Sequence, residues 1–189
     1  MPNWCFVQMR VKGSEESKRK LVDLFLSSNS VENEKKNRYF ARTWTLNYPD
    51  VIEEQIKEEV SIFDLEVAWS IYSCMISGYP NGKGCPTIFE VSKELNLDIQ
   101  IAGYEQGMCF REFYHIKNGE LILDLGGDFP EADYDDNKLY CEYVKNWKPT
   151  DKSKRPKDFE KWYDEEYMWL RDEWYVDVFN LFTDDFALN

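Results

Sequence analysis

Nucleophilic catalysis needs a thiol or hydroxyl beside a base. The chain offers one histidine, His115, and five cysteines: Cys5, Cys74, Cys85, Cys109 and Cys141. Cys109 stands six residues before His115 in one strand-like run, on the same face by parity. At ~3.3 Å per residue the two lie about 20 Å apart, so they cannot meet within that strand. A cysteine-dependent enzyme is therefore an alternative reading, and no catalytic residue is assigned. Cys74, Cys85 and His115 lack the close ligand pairs of zinc sites. Asp133, Asp135, Asp136 and Asn137 suggest a calcium loop. The glycine at its sixth position is missing, however, and Val144 replaces the terminal glutamate. Gly78 to Gly84, "GYPNGKG", suggests a phosphate-binding loop but has three residues, not four, before Gly-Lys. Gly84 also stands where a magnesium-holding hydroxyl belongs, which leaves a surface turn. No metal and no cofactor are expected.

Charge is a stronger signal. The 189 residues carry a net charge of −13, and residues 126–189 alone hold 17 acidic and 9 basic residues. Such a chain is repelled by phosphate backbones and anionic membranes, so neither direct nucleic-acid binding nor membrane binding is expected. Carboxylates interleaved with tryptophan can instead occupy a basic groove in a partner protein. Charge then steers encounter and aromatic anchors supply affinity. The candidate contacts are Asp164, Glu165, Glu166, Trp169, Asp172, Glu173 and Trp174, with Asp133, Asp135 and Asp136 in the acidic stretch before them. A homodimer is compatible with this composition.

The elements that must position these groups follow from hydrophobic periodicity. "WCFVQMRV", residues 4–11, reads as a strand ended by Gly13. Ser14 caps a helix to about Ser28, with Leu21, Leu24 and Phe25 at helical spacing. "RYFARTWTL" reads as a strand. "PDVIEEQIKEEV" reads as a helix capped by Asp50, and "SIFDLEVAWSIY" as a further strand. "TIFEVSKELN" is a short helix and "LDIQIAGYE" a strand. "MCFREFYHI" and "ELILDL" flank Asn118-Gly119, a two-residue hairpin signal. Phe110 and Tyr114 would share one face of their strand, as in an RNA-recognition sheet, so a single-stranded nucleic-acid-binding module is a further alternative. The order predicts an α+β domain over 1–125, with helices on one face of a mostly antiparallel sheet. Residues 126–189 form an acidic extension. In it Tyr163, Tyr167, Leu170, Trp174, Val178 and Leu181 predict a long amphipathic helix from Phe159. An odd number of cysteines without CxxC, and no signal-like opening, lead to the expectation of a reducing cytoplasm.

The opening "MPNWC", then a strand, Gly13 and a helix, resembles the YubB-type ferredoxin-like domain proteins carried by phages and plasmids. The run from Trp69 through Pro86 to Tyr104, Glu105, Gly107 and Phe110 is similar to the same family. The likeness spans about residues 1–125. It departs where "SIYSCMISGYPNGKGCP" replaces a short proline turn. It implies a ferredoxin-like antiparallel sheet and a mobile-element setting in a bacterial host, and supplies no catalytic residues. With the acidic extension, it leads to the expectation of a non-enzymatic, anti-CRISPR-like protein. Such a protein would bind and inhibit a host defence nuclease, a CRISPR effector for example, by occluding its nucleic-acid groove.

Overall fold

The computed structural model describes residues 3–25, 39–77, 85–105, 110–125, 127–128 and 177–183. The strands are β1 (Trp4–Lys12), β2 (Thr43–Thr45), β3 (Val60–Ala68), β4 (Asp98–Glu105), β5 (Phe110–Lys117), β6 (Glu120–Asp124) and β7 (Gly127–Asp128). The helices are α1 (Glu15–Phe25), α2 (Pro49–Lys57) and α3 (Ile88–Leu95). A single π-helical turn, Tyr72–Ile76, follows β3, and a 3-10 turn spans Asp177–Leu181.

The fold is mixed α+β, built on one antiparallel sheet in the order β2-β3-β1-β4-β5-β6, with β7 also pairing with β5. That complete order is not ferredoxin-like. The sheet runs on past β4 into the β5-β6 hairpin, and α2 occupies the β2-β3 connection. Asn118 and Gly119 turn the hairpin with φ of 49° and 82°, the left-handed pair that a two-residue loop requires. β7 carries the sheet to Asp128. Between His115 and Ile116 the β5-β6 register shifts by a bulge, which places Ile122 opposite no partner.

Alternation in β1 decides which face is core. Cys5, Val7, Met9 and Val11 are buried, together with Phe63, Leu65 and Val67 of β3, Ile99 and Ile101 of β4, and Ile116 of β5. Leu21, Val22 and Phe25 of α1, Ile52 and Ile56 of α2, and Ile88 and Val91 of α3 close over them. Burying each such side chain stabilises the fold by roughly 1.5–3 kcal/mol. The opposite face holds a smaller cluster, in which Val178 and Phe182 pack on Ala102 and Phe113. The last described segment is therefore docked on its own sheet. It is a 3-10 turn where the sequence periodicity expected the end of a long α-helix, and its residues Val178 and Leu181 lie in that turn. The remainder of that expected helix lies outside the described residues.

Three local expectations are corrected. β2 is confined to Thr43–Thr45 because Arg42, at φ 52°, breaks extended geometry just before it. β3 ends at Ala68, and Trp69, at φ 72°, turns the chain out of the sheet. α2 begins with Pro49 at its first position and Tyr48 as a cap residue without a side-chain bond, so Asp50 lies inside the helix. α3 has a complete capping box: Thr87 accepts from the Glu90 N–H, and Glu90 accepts from the Thr87 N–H.

Candidate functional site

Among the described residues, the end of the sheet where β1 and β2 begin and β3 ends gathers most of the exposed aromatic side chains. Trp4, Phe6, Trp69 and Tyr72 are all at least 38% exposed. Antiparallel register aligns one row across this face. Trp44 pairs with Glu66, Glu66 with Phe6, Phe6 with Tyr104, and Tyr104 with Arg111. Trp4 meets Trp44 edge-on, ring centroids 4.6 Å apart at 72°. Phe6 and Tyr104 follow at 5.7 Å, and Tyr104 and Phe179 at 5.8 Å.

Two cations already stack on aromatic rings of the protein. The Arg42 guanidinium lies 4.4 Å from the Trp69 ring centroid, and Arg10 lies 4.3 Å from that of Phe182. The Arg42–Trp69 pair joins two left-handed residues, each costing on the order of 1–3 kcal/mol unless its surroundings hold it. They are held. The Trp69 N–H donates to the Asn3 carbonyl at 2.8 Å, and the Ala68 N–H to the Arg42 carbonyl at 3.0 Å.

The turn after Trp69 is fixed by a buried carboxylate. Glu112 lies under the helices, 7% exposed, and accepts from the Ile71 N–H at 2.7 Å, the Tyr72 N–H at 3.3 Å and the Tyr114 hydroxyl at 3.1 Å. Burial pushes its carboxyl above the ordinary range, and these hydrogen bonds offset only part of that rise. Burial, then the Glu112 charge, pushes the Tyr114 phenol up as well. Tyr114 therefore does not stand on an open strand face with Phe110. It is 5% exposed and belongs to the main core, which removes it from the expected RNA-recognition row.

The thiols are placed for packing. Burial, and then the Glu112 and Glu105 carboxylates, push Cys5 well above its ordinary value. Burial pushes Cys74 up to about 11, and its Sγ donates to the Ala68 carbonyl at 3.0 Å. Burial raises Cys85 also. Such thiols hold little thiolate at neutral pH and are poor nucleophiles. His115 stands on the face opposite the main core, its Nε2 2.7 Å from Oδ1 of the buried Asp98, while Lys117 Nζ lies 3.5 Å from Oδ2. Among the described residues no group of three or more His, Cys, Asp or Glu side chains could hold a metal ion. Cys109, Cys141 and the Gly78–Gly84 loop lie outside the described residues.

Lys18 of α1 is 2% exposed. Its ammonium donates to the Glu58 carbonyl and, at 3.1 Å, to that of Glu59, at the end of α2. It floors a cavity of about 400 Å³ in which Lys12, Lys18 and Lys57 are balanced by Glu15, Glu58 and Glu59, so no anion site results.

The acidic and tryptophan residues expected to bind a partner lie outside the described residues. These are Asp133, Asp135, Asp136, Asp164, Glu165, Glu166, Trp169, Asp172, Glu173 and Trp174. The aromatic end of the sheet escaped sequence reasoning, because Trp44, Phe6 and Trp69 come from three separated segments. Only their common richness in tryptophan hinted at it. Among the described residues no helix is long and apolar enough to cross a membrane. Comparison with protein-family profiles, with curated proteins and with solved structures finds no match for this chain.

Proposed function

We propose that this chain is a non-enzymatic binding protein whose partner is a protein with a basic groove. The carrying observation is the exposed aromatic end of the sheet, formed by Trp4, Phe6, Trp69 and Tyr72, in a chain of net charge −13. Tryptophan, tyrosine and arginine dominate binding hot spots, and clustered negative charge selects a basic surface. The finer reading is an anti-CRISPR-like inhibitor from a phage or other mobile element, which occupies the nucleic-acid groove of a host defence nuclease. The YubB-type resemblance motivates it. A ferredoxin-like reading of the first four strands is supported by their local order, β2-β3-β1-β4, with α1 and α3 in the crossovers.

The test combines the purified chain with CRISPR effectors and measures co-elution and target cleavage at rising salt. The expected result is a complex that suppresses cleavage and weakens steeply with salt, as exposed charge contacts are screened. Absence of both co-elution and inhibition refutes the finer reading. Failure to find any basic protein partner refutes the broader one.

One observation favours a second reading. Trp44, Phe6 and Tyr104 form a row on the sheet face opposite the helices, a geometry on which single-stranded bases can stack. The overall acidity opposes it. A shift of single-stranded oligonucleotides at low salt would decide for it.

A further inference from the structure

Three aromatic groups stand on the sheet face opposite the helices or beside its end, and two have their own arginine. Arg10 covers Phe182 and Arg42 covers Trp69. The third comprises Trp4, Trp44 and Phe6. Among the described residues no cation lies over any of these three rings. Their arrangement is nonetheless that of a cation receptor. Trp4 and Trp44 pack edge to face at 72°, and the register sets Glu66 between Trp44 and Phe6 on the same face.

The Glu66 carboxylate is the decisive group. Its neighbour on that face of β3, Asp64, is fully engaged, accepting from the Gln8 and Asn47 side-chain amides. Glu66 is half-buried and, among the described residues, has neither a hydrogen bond nor an ion pair. The Glu66 carboxylate is partly exposed and lies between two aromatic residues of this row, where one cation can reach both the carboxylate and a ring. A guanidinium satisfies both parts of the site. Its flat face stacks on an indole, and its N–H fork bonds a carboxylate with both oxygens.

We propose that Trp4, Trp44, Phe6 and Glu66 form a receptor for one arginine side chain of a protein partner. This deepens the binding reading above and rests on it for the partner, while the pocket itself can be tested without one. The probe is a short arginine-containing peptide, compared with its citrulline counterpart, which keeps the shape and loses the charge. Binding to the full chain is read from the indole N–H resonances of Trp4 and Trp44, assigned with Trp4→Phe and Trp44→Phe variants.

Arginine should shift these resonances saturably, salt should weaken the effect, and citrulline should leave them in place. Glu66→Gln should weaken binding by about tenfold, the equivalent of one charge-assisted contact. Glu66 is not a core residue, so this variant keeps the fold, which an unchanged spectrum elsewhere verifies. Equal binding of citrulline, unchanged affinity in Glu66→Gln, or no shift up to about 50 mM peptide overturns the receptor. So do shifts produced by oligothymidylate alone, which mark a base-stacking surface instead. A pocket that passes in a chain with no protein partner overturns only the binding reading. A partner complex unmoved by Glu66→Gln overturns only the pocket.

Discussion

Replacing Glu112 with leucine removes one acceptor from three donors. The Ile71 N–H and the Tyr114 hydroxyl are buried, at 2.7 and 3.1 Å from the carboxylate. The Tyr72 N–H, at 3.3 Å, belongs to a residue 54% exposed and can turn to water. Two buried donors left unpaired cost about 1–3 kcal/mol each, so the variant should lose about 2–4 kcal/mol after partial relaxation. With a urea dependence of about 2 kcal/mol per molar, the unfolding midpoint should fall by about 1–2 M. Glu112→Gln should behave differently. Burial raises the carboxyl above its ordinary value of 4.5, so between that value and the folded one the folded state binds more protons than the unfolded chain. The contribution is fully present below 4.5 and is lost as pH rises through the folded value. Glutamine has nothing to ionise. The wild type should therefore lose ground to Glu112→Gln as pH climbs from about 4 toward neutrality. Urea unfolding followed by circular dichroism across that range measures both effects. An unchanged midpoint in Glu112→Leu, or a wild type that gains on Glu112→Gln with rising pH, refutes the reasoning. Because the same carboxylate fixes the turn after Trp69, Glu112→Leu should also weaken partner binding.

Lys18→Met removes a cation bonded to two carbonyls at the end of α2 and should cost about 1.5–3 kcal/mol in urea unfolding, with Lys18→Arg intermediate. A midpoint unchanged in Lys18→Met would mean that water replaces the ammonium without loss. Cys5 and Cys74, with thiols raised by burial, should resist iodoacetamide at pH ~8 in native protein and react in denaturant. Mass spectrometry of peptides after brief labelling checks this, and rapid native labelling of Cys74 would restore the case for a reactive thiol.

Much of the fold is legible in local pattern. The strict alternation of "WCFVQMRVK" gives β1 and its buried face, and Asn118-Gly119 gives the β5-β6 hairpin. α3 is legible from its Thr87–Glu90 box and apolar spacing. What resists reading depends on partners distant in sequence. The break at Arg42 is held by partners far along the chain, its carbonyl accepting from the Ala68 N–H and its guanidinium stacking on Trp69, 27 residues away. Trp69 looks like the next member of an alternating strand, and only its left-handed backbone ends β3 there. The π-helical turn has no period of its own. It forms where Glu112, 41 positions from Ile71, offers a buried acceptor. The aromatic row requires the β2-β3-β1-β4 register, which no single segment encodes. Sequence reasoning therefore located the charge and missed the place where the rings converge.

The bulge in the β5-β6 pairing bears on how the protein behaves at high concentration. Among the described residues β6 is the outer strand of the sheet, and Leu121, Ile122 and Leu123 are each at least 41% exposed. A flat strand of that composition would template growth of the sheet from molecule to molecule. The extra residue at Ile122 bends the edge out of register with a second copy. Glu120 and Asp124 at the two ends would face each other in an antiparallel self-pairing centred on Ile122. The bulge thus works against edge-to-edge growth of the sheet, and deleting Ile122 should raise light scattering at high concentration, an unchanged signal refuting this reading.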